Sequence, residues 1–77
     1  MDKKRRDKLR EAMRLIEMAE SITERMCDKE QSCVDNTPEN LQCTDRYDKM
    51  EQTVEKLEEA VDKLSEAREL IEEAIAK

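Results

Sequence analysis

The chain has no glycine, histidine, phenylalanine or tryptophan, and only one proline and one tyrosine among its 77 residues. Each absence excludes something. Without glycine there is no Gly-rich phosphate loop and no glycine-dependent hairpin turn. Without histidine the Glu-x-x-His di-metal bundle site and the His-activated nucleophile are excluded. A lone aromatic leaves no row of rings for base stacking. No run of 18 apolar residues exists to cross a bilayer. The Lys3–Arg6 cluster is not followed by the apolar segment of a secretory signal, so the expected location is the cytoplasm.

Charge and periodicity are what the chain has. Charged residues make up 47% and hydrophobic ones 36%, with a formal net charge of −6. Residues 54–74 read VEKLEEA, VDKLSEA, RELIEEA, three seven-residue units of one layout. Val54, Val61 and Arg68 open them, Leu57, Leu64 and Ile71 hold the fourth place, and Ala60, Ala67 and Ala74 close them. Apolar residues three and four apart form a stripe on a helix, and a strict seven-residue period turns it toward another helix. The alanines add a shallow second row that a neighbouring backbone can approach.

The first 34 residues repeat the theme more loosely. Leu9, Ala12, Ile16, Ala19, Met26 and Cys33 follow the seven-residue pattern, while Leu15, Met18 and Ile22 fall to one side and Met13 to the other. That apolar face is wider than one partner helix requires. Residues 35–43, DNTPENLQC, break the pattern. Asp35 and Asn36 are turn formers, and Thr37-Pro38-Glu39 reads as a helix start with Thr37 as cap and Pro38 at the first position. Leu41 is expected to tuck into the bundle end. Thr44-Asp45 is a second start signal.

The fold expected is all-α, one domain: a helix over 2–34, a connection over 35–44 and a helix over 45–76, forming an antiparallel hairpin. One hairpin of this size has little core, and the stripes predict self-association into a four-helix bundle, with a homodimer as first choice. Arg68, on the stripe where an apolar residue belongs, is expected to snorkel near the helix end or to pair with an acid on a partner chain and fix the alignment. Residues 1–26 carry eight Lys/Arg against six Asp/Glu, and residues 48–77 five against ten. Antiparallel packing sets these opposite balances side by side.

Three cysteines, Cys27, Cys33 and Cys43, have five and nine residues between them and no histidine to complete a zinc set, so no metal is expected. Cys27 and Cys33 read as small buried residues and Cys43 as a loop thiol. No cofactor and no catalytic constellation is expected. The connection holds the polar groups that packing does not explain: Glu39, Asn40, Gln42, Arg46 and Tyr47. Arg46 can grip phosphate or carboxylate with two prongs, and Tyr47 can stack on a base or fill a partner's pocket. An alternative nucleic-acid surface is Lys3, Lys4, Arg5 and Arg6, as in RNA-binding hairpin dimers of the Rop type.

The segment Pro38-Glu39-Asn40-Leu41-Gln42, then Thr44-Asp45-Arg46, Met50-Glu51 and the Glu/Ala heptads, resembles a group of short phage and bacterial mobile-element proteins. Members of that group read P-E-N-L-Q, one residue, S-E-R-G and then M-E-E. The likeness spans roughly residues 35–74. This chain departs from it with Thr37 in place of an apolar residue, Cys43 in place of an acid and Tyr47 in place of glycine. The resemblance implies a small helical protein that acts by binding. Its partner is then an unidentified protein that it inhibits, or a nucleotide signal that it sequesters.

Overall fold

A computed structural model describes all residues 1–77. It contains two long helices, α1 (Lys3–Asp35) and α2 (Asp45–Ala76), joined by a single 3-10 turn at Glu39–Leu41. The helices pack antiparallel into a rod of 59 × 15 × 13 Å. No helix is long and apolar enough to cross a membrane.

Local chemistry accounts for the ends. The Asp2 carboxylate accepts the Arg5 amide at 2.8 Å and caps α1 at the position most burdened by Lys3, Lys4, Arg5 and Arg6. At α2 the Thr44 hydroxyl oxygen accepts the Tyr47 amide at 3.2 Å while its own proton goes to the Leu41 carbonyl at 2.8 Å. One side chain thus ends the connection and starts the helix. Asp45 and Asp48 then face the positive end of α2. The chain reverses with no residue at positive φ. Asn36, at φ −90° and ψ 1°, closes α1 by donating its amide to the Ser32 carbonyl at 3.0 Å, so the lack of glycine costs the turn nothing.

Thr37 does not cap as its sequence context predicts. Its hydroxyl donates back to the Cys33 carbonyl at 2.8 Å, and Pro38 takes the position before the 3-10 turn. A hydroxyl four residues beyond a free helical carbonyl has a partner already within reach.

The core is small. Only Cys27, Val34 and Val54 are buried, with Tyr47, Met50 and Leu57 packed against them. The Cys27 thiol lies 3.8 Å from the Val54 carbonyl. On α2 the buried line follows the heptad positions. On α1 it does not: Met26 and Cys33, expected on the stripe, are exposed, and their neighbours Cys27 and Val34 take the core. A straight helix with 3.6 residues per turn drifts by about 20° per heptad against a 3.5 repeat, so over α1 the facing position slides by one residue. Cys33 is therefore a surface thiol. All three cysteines are free.

Arg68 is also placed differently. Its Nε donates to Glu20 Oε1 at 2.9 Å and its Nη1 lies 3.6 Å from Glu17, both on α1 of the same chain. The hydrogen bond and charge of Glu20 raise its pKa, with smaller help from Glu17 and Glu69, against the opposing pull of burial. The cation closes the hairpin within one chain. These are also the only ion pairs between the helices, because Arg5, Lys8 and Arg10 pair within α1.

Candidate functional site

The last turn of α1, the connection and the first two turns of α2 enclose an open groove of about 470 Å³. Its apolar lining comes from Pro38, Leu41, Tyr47 and Met50, and Cys33 and Arg46 add a thiol and a cation. Helical spacing explains why α2 contributes this set. Arg46, Tyr47 and Met50 are related by three and four residues and stand on adjoining parts of one surface. Leu41, expected inside the bundle end, is about half exposed and forms one wall.

Among the polar groups of the groove, the Arg46 guanidinium and the Tyr47 phenol have no protein partner. Arg46 makes no ion pair, in common with Arg6, Arg14 and Arg25, whereas Arg5, Arg10 and Arg68 do. The Tyr47 backbone amide is spent on Thr44, but its phenol oxygen takes part in no hydrogen bond. Partial burial raises the Tyr47 pKa above the usual tyrosine range, and Glu51, Asp35 and Asp48 add to the effect. At neutral pH the ring is therefore an uncharged platform with a free hydroxyl, beside a free guanidinium. Such a pair can accept a carboxylate or phosphate at Arg46 and a flat or apolar group at Tyr47.

The structure brings together only part of the predicted site. Arg46 and Tyr47 line the groove, whereas Glu39, Asn40 and Gln42 do not. Glu39 and Asn40 point to solvent from the 3-10 turn. Gln42 supports the turn, donating its side-chain amide to the Thr37 carbonyl at 3.2 Å. Cys33 and Met50 belong to the groove and were missed as site residues. The signal for them is topological: in a hairpin the end of one helix stands beside the start of the next.

The basic cluster is not one surface. Consecutive helical residues point about 100° apart, so Lys3, Lys4, Arg5 and Arg6 surround the helix. Lys4 and Arg5 join Lys8 on a shallow groove floored by Met1 and Leu9, with Arg5 3.7 Å from Asp2. Arg6 turns toward the interior, and its Nε is buried without a partner.

A third cleft, of about 330 Å³, lies midway along the rod, where Glu24 and Asp28 face Glu58 and Asp62 beside Cys27 and Val61. Burial, then the charges of Glu58 and Asp28, push the Cys27 thiol upward in pKa, which keeps it protonated and unreactive. No group of three or more Cys, Asp or Glu side chains is arranged to hold a metal ion.

An all-helical hairpin with one small amphipathic groove at its turn is the class of molecule defined by these features. Comparison with protein-family models, curated proteins and solved structures finds no match.

Proposed function

We propose that the chain is a non-enzymatic binding protein that self-associates into a four-helix bundle, and that its recognition surface is the groove at the connection. The observation that carries this reading is the convergence of the Arg46 guanidinium and the half-buried Tyr47 ring on one groove with an apolar floor. Six of the fifteen cations form ion pairs, so a free cation is common in this chain; what sets Arg46 apart is that it lines the groove at the turn beside a half-buried ring. A cation left free beside a half-buried ring is suited to a ligand carrying both negative charge and apolar or planar surface. The resemblance around Pro38–Gln42 sets this in a phage or mobile element, where such a protein acts on a host protein as an inhibitor.

A second reading has support from the same pair. Phosphate on Arg46 with a base on Tyr47 is the chemistry of a nucleotide signal, and the chain would then be a sponge that sequesters it. The Rop-like RNA reading is weaker, because the basic residues are spread around α1 and no aromatic lies among them.

The test compares the wild type with Arg46→Ala and Lys4→Ala in two assays. In affinity capture from a host lysate, the inhibitor reading predicts a defined protein retained by the wild type and Lys4→Ala and lost with Arg46→Ala. In thermal melts, the sponge reading predicts a rise in Tm with cyclic oligonucleotides that Arg46→Ala removes. If Arg46→Ala behaves as the wild type in both assays, the groove reading is wrong.

A further inference from the structure

The groove at the turn holds a third polar group besides Arg46 and Tyr47. Asn36, which closes α1, lines it as well. Its backbone amide is given to the Ser32 carbonyl at 3.0 Å, whereas its side-chain carboxamide makes no hydrogen bond within the chain. The two hydroxyls of the groove are already engaged. Thr37 donates to the Cys33 carbonyl, and Thr44 donates to the Leu41 carbonyl while accepting the Tyr47 amide. A ligand therefore meets one guanidinium, one carboxamide, one phenol and the Cys33 thiol, around an apolar floor of Pro38, Leu41 and Met50.

Charge limits what can enter. Arg46 is the single cation of the groove. Lys49, nearly one turn further on, lines a separate groove with Gln52 and Glu55. Asp35, Asp48 and Glu51 stand close enough to Tyr47 to raise its pKa, so the surroundings of the guanidinium are negative. A ligand with one negative charge meets Arg46. Each further charge meets carboxylates instead, and is repelled. A phosphate monoester carries about 1.5 to 2 negative charges at neutral pH, and a cyclic oligonucleotide carries one on every linkage. A carboxylate carries one and matches the planar fork of arginine.

We infer that the groove binds the C-terminal residue of a partner polypeptide, with its carboxylate on Arg46, its apolar side chain on the Pro38, Leu41 and Met50 floor beside the Tyr47 ring, and its peptide group at Asn36. This rests on the groove reading above and gives that groove its ligand. In a C-terminal residue the carboxylate and the side chain leave the same Cα, so a small site can hold both. The groove, about 470 Å³, is at the small end of the roughly 300–1,000 Å³ of ligand sites. An acidic side chain within a chain brings a backbone that continues in both directions, for which so small a groove has no room. The Asn36 carboxamide both donates and accepts, as does one peptide unit.

The experiment titrates the full, isotope-labelled chain with four probes and follows its NMR shifts. The probes are acetyl-Ala-Leu as the free acid, the same peptide as its C-terminal amide, acetyl-Glu-Leu amide, and adenosine monophosphate. The free acid is expected to move the resonances of Asn36, Arg46 and Tyr47. The amide should bind at least about tenfold more weakly, for want of one charged hydrogen bond. The free acid should also slow alkylation of Cys33 and leave Cys43, which is exposed and outside the groove, unchanged. Arg46→Ala should abolish the shifts, and Arg46→Lys should retain part of the affinity; the Arg46 side chain is exposed and makes no hydrogen bond, so neither change disturbs the fold. An amide that binds as tightly as the acid overturns the carboxylate assignment, and tighter binding of acetyl-Glu-Leu amide overturns the chain terminus. Groove shifts with adenosine monophosphate and none with the free acid overturn the peptide ligand and leave the groove reading standing. If no probe moves these resonances the peptide ligand is overturned, and the groove reading falls with it only where Arg46→Ala also leaves lysate capture unchanged.

Discussion

Arg68 and Cys27 show how much individual side chains contribute to so thin a fold. Arg68 is the cation that ties α2 to α1, through Glu20 and Glu17, at a level where a smaller apolar side chain would leave those carboxylates without a partner. Arg68→Ala is expected to lower the urea midpoint clearly more than Lys63→Ala, whose only partner is Glu66 in the next turn. Equal effects in a denaturation series would show that the cross-helix pair contributes no more than a surface one. Cys27 and Tyr47 govern the alkaline side. Both have folded-state pKa values raised above the unfolded ones. The folded chain therefore holds their protons more tightly, and their stabilising effect, complete below the ordinary thiol and phenol range, is lost as pH rises through it. Urea midpoints should fall between pH 8 and about 11. In the native protein at pH 8, a thiol reagent should modify Cys33 and Cys43 quickly and Cys27 only on unfolding, as peptide mapping by mass spectrometry would show.

The elements were legible to different degrees. α2 could be read almost residue by residue, because Val54, Leu57, Val61 and Leu64 repeat strictly and Thr44 marks the start. Thr44→Ala is expected to cost about 1 kcal/mol, and Val54→Ala about 2 kcal/mol, both measured by urea unfolding at fixed protein concentration. α1 was less legible. A pattern that names Met26 and Cys33 as inward residues assumes the helix stays in step with a seven-residue repeat, and the drift of an ordinary helix moves Cys27 and Val34 into that place. The site was half legible. Arg46 and Tyr47 stood out as polar groups with no packing role, whereas Glu39 and Asn40 had the same appearance and face solvent. Only the path of the turn separates them. Thr37 illustrates the same limit: its neighbours Pro38 and Glu39 mark it as a cap, yet the Cys33 carbonyl is closer.

At the scale of the whole molecule the hairpin has too little inside. Three buried residues cannot account for two helices of more than 30 residues each, and Leu15, Met18, Ile22 and Met26 remain on the surface. In the proposed bundle a second hairpin would supply further burial through helix packing, and the three cysteines are free. Thermal stability should accordingly increase with protein concentration, a dependence that a self-sufficient monomer lacks. The most direct measurement is molar mass by light scattering after gel filtration, with and without reductant. The account predicts twice the 9.1 kDa chain mass in both conditions. A mass of 9.1 kDa in both would contradict it and leave a single hairpin that orders on another partner.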